Sequence, residues 1–343
     1  MSNKKNFSDN RITLMRLICA IIVLISHLDW IAGNPTDRFR QLGLYAVAIF
    51  FGLSGFLLTE TILRNGANTF FVRNRIIRIF PGFIGVLLST TFFFAPVFQM
   101  IKTREFRYFF TEDNVLYVFR NISTYILQPD INGSLEANSV RNWNPPLWTL
   151  SYELFCYCFL FILVRTLAKK FALFINVFLP IFIGFYLLEG FSLFYIPDRI
   201  IMTIYFTSFF FLGSFLYLRN LQHSFHLFLA LVFVSPLLFL IPRNSHTSFY
   251  DSADFVIGLF LIPLTLFLAF NMKIPIKLRN DYSFGIYIYS APVSQLLVFS
   301  FNGLRLNWIF YSICTLVITL IFAWLSWHLI EKQAFRFKKS TRG

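Results

Sequence analysis

Apolar residues run through this chain in long stretches, and polar residues gather in the short segments between them. Ten stretches have about the 20 residues that an α-helix needs to cross the hydrocarbon core of a bilayer. None shows the period-2 alternation of a membrane β-barrel strand. The pattern predicts an all-α membrane protein, a polytopic bundle of about ten transmembrane helices. The predicted spans are 12–31, 44–63, 79–100, 147–165, 171–189, 200–218, 225–242, 254–272, 282–301 and 308–330.

The segment between the third and fourth predicted spans, residues 101–146, is much longer than the others. Its end, residues 128–146, is rich in Asn, Pro, Ser and Gly, which is typical of a loop. Residues 115–127 are apolar but too short to span, which predicts an interfacial or re-entrant segment. With no internal repeat and no appended soluble domain in view, residues 1–343 are predicted to form a single membrane domain.

Charge and composition agree with this picture. Only 13% of residues are charged, against about 25% in soluble proteins. A net charge of +14 could suggest a nucleic-acid partner, but the Lys and Arg residues sit in short segments between spans, where they act as topology anchors. Their alternation predicts that both termini are cytoplasmic and that 101–146 is an outer loop. The basic start resembles a signal peptide, but the apolar run is long enough to span and is predicted to be retained. The four cysteines form neither a disulfide framework nor a zinc-site spacing, so no metal is predicted.

The first predicted span carries two ionisable residues, Arg16 and His27, in an otherwise apolar run. Eleven residues turn an α-helix through roughly 20° past three full turns, so both lie on one stripe, about 16 Å apart along the axis. Ionisable groups at membrane depth indicate a functional site. The alternative is that Arg16 reaches the headgroups and His27 caps the outer end of the helix.

Two further stretches combine packing residues with candidate chemistry. Residues 50–60, Phe-Phe-Gly-Leu-Ser-Gly-Phe-Leu-Leu-Thr-Glu, contain small residues that let helices approach closely, and Ser54 is the alternative candidate for lining a narrow passage. Residues 70–81 bring Arg73, Arg75 and Arg78 to the inner end of the third span. Guanidinium groups match phosphate geometry, although a cluster of positive topology anchors explains the same pattern.

The fourth span begins Asn-Pro-Pro-Leu-Trp and places Thr149, Glu153 and Tyr157 on one helical face. Glu153 is predicted at a depth similar to that of His27. A carboxylate in hydrocarbon needs a partner, and a His–Glu pair would fix the imidazole tautomer. The tyrosines within 281–293, at the start of the ninth span, are interpreted as an interfacial aromatic belt.

Together these stretches resemble the acyltransferase-3 family, integral membrane acyltransferases that modify bacterial surface glycans. The resemblance rests on the Arg16 to His27 spacing, on 50–57, on Arg75 to Pro81, and on 146–153, where Thr149 replaces the usual Ser. A late segment matches only loosely at 282–292, where Ser290 stands in place of the usual His.

The resemblance implies an acyl donor, usually acetyl-CoA, on the cytoplasmic side, and a polysaccharide or lipid-linked glycan as acceptor. Arg16 and the three arginines of 73–78 would bind the donor, and its pantetheine arm would run along the first helix to His27. His27, assisted by Glu153, would be catalytic, either by deprotonating the sugar hydroxyl or by briefly accepting the acyl group itself. The predicted acceptor-binding residues, approached from beneath the outer loop, are Ser54, Trp148 and Tyr157.

The implied location is the bacterial inner membrane, in contact with membrane lipid and without a nucleic-acid partner. A competing hypothesis is proton-coupled export of a glycan or acyl compound by the same ionisable residues. A sensor or scaffold gives no reason for Arg16 and His27 to share a stripe.

Overall fold

A computed structural model describes residues 2–33, 37–104, 111–189, 196–236, 252–272, 278, 280–301 and 308–339, and every regular element in these ranges is helical. In chain order the helices are α1 Ser2–Ile31, α2 Asp37–Asn65, α3 Thr69–Ser89, α4 Ala95–Thr103, α5 Glu112–Asn121, α6 Thr149–Leu167, α7 Phe171–Glu189, α8 Asp198–Leu218, α9 Phe225–Val234, α10 Ser252–Asn271, α11 Ser283–Phe301, α12 Trp308–Ser326 and α13 Lys332–Lys339.

Seven helical stretches in the described ranges are long and apolar enough to cross a membrane, which confirms the predicted all-α, multi-pass membrane bundle. The longest, Pro145–Leu188, contains both the fourth and the fifth predicted spans, as α6 and α7. The seventh predicted span, 225–242, begins as the ten-residue α9, and its residues 237–242 lie outside the described residues. The sides of the membrane on which the termini and loops lie remain predictions.

The third predicted span is a single stretch, Thr69–Thr103, with a local irregularity inside it. Between α3 and α4 the chain forms one π-helical turn, Thr90–Phe94. Such turns interrupt α-helices mostly as single insertions and are frequent at functional sites. The two threonines of this turn, Thr90 and Thr91, are fully buried.

The chain packs as two compact units, the first of which comprises Met1–Cys19, Leu44–Phe71 and Tyr152–Arg279. Inside it, α2 and α8 approach closely through their glycines. A Cβ atom on Gly55 would lie 1.8 Å from the carbonyl oxygen of Phe210, and one on Gly213 would lie 1.9 Å from that of Gly52. No side chain fits at these positions, so the glycines of the segment 50–60 serve helix packing, one of the two alternatives raised by the sequence.

The second unit comprises Ala20–Gly43, Val72–Ser151 and Asn280–Gly343. In it, the end of α1, the long loop and α11 share a buried apolar cluster of Ile31, Val140 and Ala291. Gly33, with φ of +82°, passes so close to the loop that a Cβ atom there would meet Ser139 Oγ at 2.4 Å. Ser139 and Val140 of the long loop therefore pack against the end of the helix that carries His27.

Candidate active site

His27 lies on α1, about one turn before the helix ends at Ile31. Its Nδ1 atom is 2.8 Å from the carbonyl oxygen of Val23 and 3.3 Å from Ser26 Oγ, and its ring meets the edge of Trp30. A carbonyl oxygen only accepts hydrogen bonds, so Nδ1 carries the hydrogen and the neutral ring keeps its basic lone pair on Nε2. Among the described residues no hydrogen bond reaches Nε2, which leaves this nitrogen available to a substrate.

Arg16 lies on the same helix, and α1 continues without a break from Arg16 to His27. The predicted stripe therefore lies on one continuous helix, along which eleven residues rise about 16 Å. Arg16 is half-buried, and Ala20 and Val23 between the two groups are fully buried. Arg16 belongs to the first unit and His27 to the second.

Glu153 gathers two of the other predicted site residues around its carboxylate. In the first unit, Ser54 Oγ on α2 donates a hydrogen bond to Glu153 Oε1 at 3.4 Å, and the hydroxyl of Tyr157 donates to the same oxygen. Tyr157 lies one turn beyond Glu153 on α6, which confirms their predicted shared face. Because Glu153 and His27 lie in different units, the predicted pair between them remains a prediction.

The three arginines at the start of α3 have unequal surroundings. Arg78, whose side chain is only 15% exposed, places one guanidinium nitrogen 2.7 Å from Asp281 Oδ2 and the other 3.9 Å from Glu331 Oε2. Two carboxylates already face this guanidinium, which disfavours the approach of a phosphate and favours a role in holding α3, α11 and the end of α12 together. Arg73 and Arg75 are half-buried on the same helix and remain candidates for a phosphate.

Trp148 ends a short 3-10 turn, Pro145–Trp148, which leads directly into α6. This turn is tied to α11 in the second unit. The hydroxyl of Tyr287 donates to the carbonyl oxygen of Pro146 at 2.6 Å and lies 2.5 Å from Thr149 Oγ1. The Tyr287 hydroxyl thus contacts Pro146 and Thr149, which lie on opposite sides of Trp148 in the sequence. These contacts hold the backbone that carries the half-buried indole.

The loop before this turn is also tied to α11, through Gln295. The Gln295 amide nitrogen donates to the carbonyl oxygens of Val140 and Asn142, each at 2.8 Å, and Gln295 Oε1 accepts from Asn138 Nδ2 at 2.7 Å. Gln295 is fully buried, so α11 determines the path of the loop 138–142 next to the end of α1.

These contacts correct the interpretation of residues 281–293 as an interfacial belt. Tyr287 and Tyr289 are buried and bonded inside the protein, Tyr289 to Ser89 Oγ at 3.4 Å. Ser290, at the position where the resembled family carries His, is buried and donates to its own helix. The sequence reasoning therefore missed Tyr287, Gln295 and Asp281. The sequence signal that could have identified these residues is the recurrence of polar residues along the otherwise apolar ninth span.

In the parts of the chain that the structure covers, no group of three or more His, Cys, Asp or Glu residues is arranged to hold a metal ion. Two further carboxylates, those of Asp254 and Asp29, are buried but are not among the predicted site residues. Asp254 in the first turn of α10 accepts a hydrogen bond from the Tyr45 hydroxyl at 2.6 Å, and Asp29 follows His27 by two residues.

The chain belongs to the acyltransferase-3 family, whose profile, described as an acyltransferase domain, matches residues 9–328. It is therefore a multi-pass membrane acyltransferase. It is similar to the O-acetyl transferase of Shigella phage Sf6, with 27% identity over 93% of each chain. It also resembles nodulation protein 10 of Rhizobium leguminosarum bv. viciae, with 27% identity over 43% of this chain and 42% of that protein. No solved structure matches the chain significantly.

Proposed function

We propose that this protein transfers an acetyl group from acetyl-CoA on the cytoplasmic side to a hydroxyl group of a cell-surface or lipid-linked polysaccharide, in the bacterial inner membrane. The family match supports acyl transfer. The name of the phage relative supports acetyl as the group and oxygen as the acceptor atom. The observation that carries the proposal is the His27 tautomer, which leaves Nε2 as a base within the membrane span Asn10–Ile31.

The donor would be held by arginines at the end of the bundle assigned to the cytoplasm. Arg73 and Arg75 would bind its phosphates, since guanidinium groups bind phosphate bidentately, and Arg78 would order the same end of α3 through Asp281. Arg16 would bind a second part of the donor at the start of the stripe. The unbroken helix from Arg16 to His27, about 16 Å long, is a suitable path for the thin pantetheine arm.

His27 would act as general base and then as general acid. Nε2 takes the proton of the acceptor hydroxyl while the hydroxyl oxygen bonds to the thioester carbonyl carbon. The tetrahedral intermediate collapses, the carbon–sulfur bond breaks, and the leaving thiolate takes the proton from Nε2. The products are an O-acetyl ester and CoA with a free thiol, so charge and protons balance. Positioned acid–base groups contribute typically about 10²- to 10⁴-fold in rate.

The remaining predicted residues would assist His27 or bind the acceptor. Ser54 and Tyr157 hold the Glu153 carboxylate in one orientation, and that carboxylate would stabilise the imidazolium form of His27. Trp148, fixed by the Tyr287 contacts, offers an aromatic face of the kind that packs against sugar rings. Ser139 and Val140 of the long loop pack on the end of α1 beyond His27, and so the acceptor would reach His27 beneath this part of the loop.

The test is mass spectrometry of surface glycans from cells that carry the native gene, a deletion, or His27→Ala. The proposal expects an acetyl mass on the glycan of native cells and its loss both in the deletion and in the His27→Ala cells. The native and His27→Ala proteins should be present in the membrane in equal amounts. His226→Ala is the matched control, because His226 is exposed on α9 and has no role in the proposal.

Retained acetylation in the His27→Ala cells would remove the assigned chemistry. Glycan trapped inside the deletion cells, instead of exported without acetate, would favour the export hypothesis. The acyltransferase family match makes export the weaker alternative.

A further inference from the structure

Helix α5, Glu112–Asn121, buries polar residues and exposes apolar ones, which is the opposite of the pattern expected for a helix in a water-exposed loop. Its polar residues Asn114 and Asn121 are at most 1% exposed, and Tyr117 between them is fully buried. Its apolar residues face outward instead, with Phe119 68% exposed and Val115 46% exposed. In an aqueous loop the apolar face would pack inward, so this arrangement indicates apolar surroundings.

The position of α5 along the span Thr69–Thr103 also indicates that its surroundings are apolar. Asn114 Nδ2 donates to the carbonyl oxygen of Thr91 at 3.1 Å, so α5 packs against the π-helical turn inside this span. Thr91 lies 13 residues after Arg78 and 11 before Lys102, about 20 Å and 16 Å along a helix. The hydrocarbon core is about 30 Å thick, so the Thr91 contact lies well below the level of the nearer headgroups.

A second contact holds α5 to the start of α6. Asn144 Nδ2 donates to the Tyr117 hydroxyl at 2.6 Å and to Thr90 Oγ1 at 3.1 Å. Asn144 is fully buried and lies four residues before Trp148. Both contacts place the polar face of α5 against the protein, which leaves Val115, Leu116 and Phe119 on the outside.

We infer that α5 is embedded in the outer leaflet, with Val115, Leu116 and Phe119 in contact with the acyl chains of the bilayer. The charged residues lie at the ends of this helix, Glu112 and Asp113 in its first turn and Arg120 in its last. Asp113 Oδ2 accepts from the Asn132 backbone N–H at 2.6 Å and Arg120 donates to Gln128 Oε1 at 3.4 Å, so both groups bind residues of the loop. Lipid hydrocarbon is thus the partner that this surface fits.

This inference rests on the membrane protein fold and deepens the proposed function in one respect. Because α5 is bonded to Asn144, the start of α6 and Trp148 would lie below the headgroups of the outer leaflet. An acceptor would then approach Trp148 sideways through the leaflet, as a lipid-linked glycan can and a free soluble sugar cannot.

The experiment places a small fluorophore on Phe119→Cys and, separately, on Val115→Cys, in a background with Cys158→Ser and Cys314→Ser. The other two native cysteines are buried and can remain. The protein is reconstituted into phosphatidylcholine vesicles that contain lipids with a nitroxide group near the top of the acyl chain. Glu136→Cys is the matched control, because Glu136 is an exposed residue of the same loop.

We expect the nitroxide lipids to quench both labels on α5 at least about twofold more than the label at position 136. We also expect a membrane-impermeant maleimide to modify Glu136→Cys but not the two α5 variants. Equal and weak quenching at all three positions, with modification by the maleimide, would overturn the inference. Protection from both reagents would also overturn it, because another protein chain would then cover α5. Neither readout depends on acyl transfer, so the proposed function can fail independently.

Discussion

The hydroxyl of Tyr287 on α11 donates a hydrogen bond to the carbonyl oxygen of Pro146, 2.6 Å away, in the turn that leads into α6. Pro146 is followed by Leu147 and then by Trp148. The same carbonyl oxygen also accepts from Thr149 Oγ1 at 3.2 Å, so the Tyr287 bond adds a tie from α11 to a turn that already bonds within itself. Residue 287 thus positions the predicted acceptor-binding indole without being part of the predicted chemistry.

Tyr287→Phe should therefore lower acetyl transfer more than it lowers the amount of folded protein. The Pro146 carbonyl keeps its bond from Thr149, so the loss is that of one buried hydrogen bond, about 0.5–1.5 kcal/mol. A displaced Trp148 should reduce transfer at least about tenfold, with the larger effect on KM for the acceptor. Tyr289→Phe is the control, since it removes a buried hydroxyl from the same helix but one bonded to Ser89. Equal losses of transfer in both variants would contradict the positioning role.

Glu153→Gln separates the charge of this side chain from its shape. Glutamine retains an oxygen that accepts from Ser54 and Tyr157, so the local packing should survive. If the carboxylate stabilises imidazolium at His27, kcat should fall about tenfold or more, about 1.4 kcal/mol, with unchanged thermal stability. Glu60→Gln is the control, because Glu60 pairs with exposed Arg64 on α2. A Glu153→Gln enzyme with native kcat would reduce Glu153 to a packing role.

Arg75→Ala and Arg78→Ala should have different effects. Removing Arg78 leaves the carboxylates of Asp281 and buried Glu331 without their cation, which for a buried pair costs about 3–5 kcal/mol. Arg78→Ala should lower the thermal unfolding temperature in detergent. Arg75→Ala should raise KM for acetyl-CoA. An Arg78→Ala protein of native stability with a raised KM would instead make Arg78 a donor ligand.

Gln295→Leu should release the loop 138–142 while α11 remains folded. The substitution keeps an apolar side chain of similar size in the membrane helix but removes the hydrogen bonds to Val140, Asn142 and Asn138. Limited proteolysis should cut within 138–142 much faster than in the native protein, and transfer should fall. Ser300→Ala, which removes an exposed hydroxyl bonded only within α11, should change neither.

The membrane fold could be predicted from the sequence because long apolar stretches permit almost no other structure. The helix from Arg16 to His27 and the shared face of Glu153 and Tyr157 follow from the same periodicity. The segment 115–127, expected to be interfacial or re-entrant, is helical up to Asn121, as part of α5, and carries an exposed apolar face.

The contacts between distant segments could not be predicted. In a membrane helix, apolar residues face both lipid and protein, so the hydrophobic pattern does not say which face is buried. Because of this ambiguity the sequence favours an interfacial position for Tyr287 and Tyr289, although both are buried in the structure. Nothing local connects Ser54 with Glu153, 99 positions away, or Arg78 with Asp281, 203 positions away.

The central claim is that an acetyl group supplied from the cytoplasm is transferred with Nε2 of His27 as the base. Inside-out membrane vesicles that contain the acceptor glycan can be given acetyl-CoA with a radiolabelled acetyl group, and glycan-bound label counted for the native protein and for His27→Gln at equal abundance. The account predicts labelled glycan with the native protein and a loss of about 10²- to 10⁴-fold with His27→Gln. Undiminished labelling by His27→Gln, or labelling only when acetyl-CoA is on the opposite side of the membrane, would contradict it.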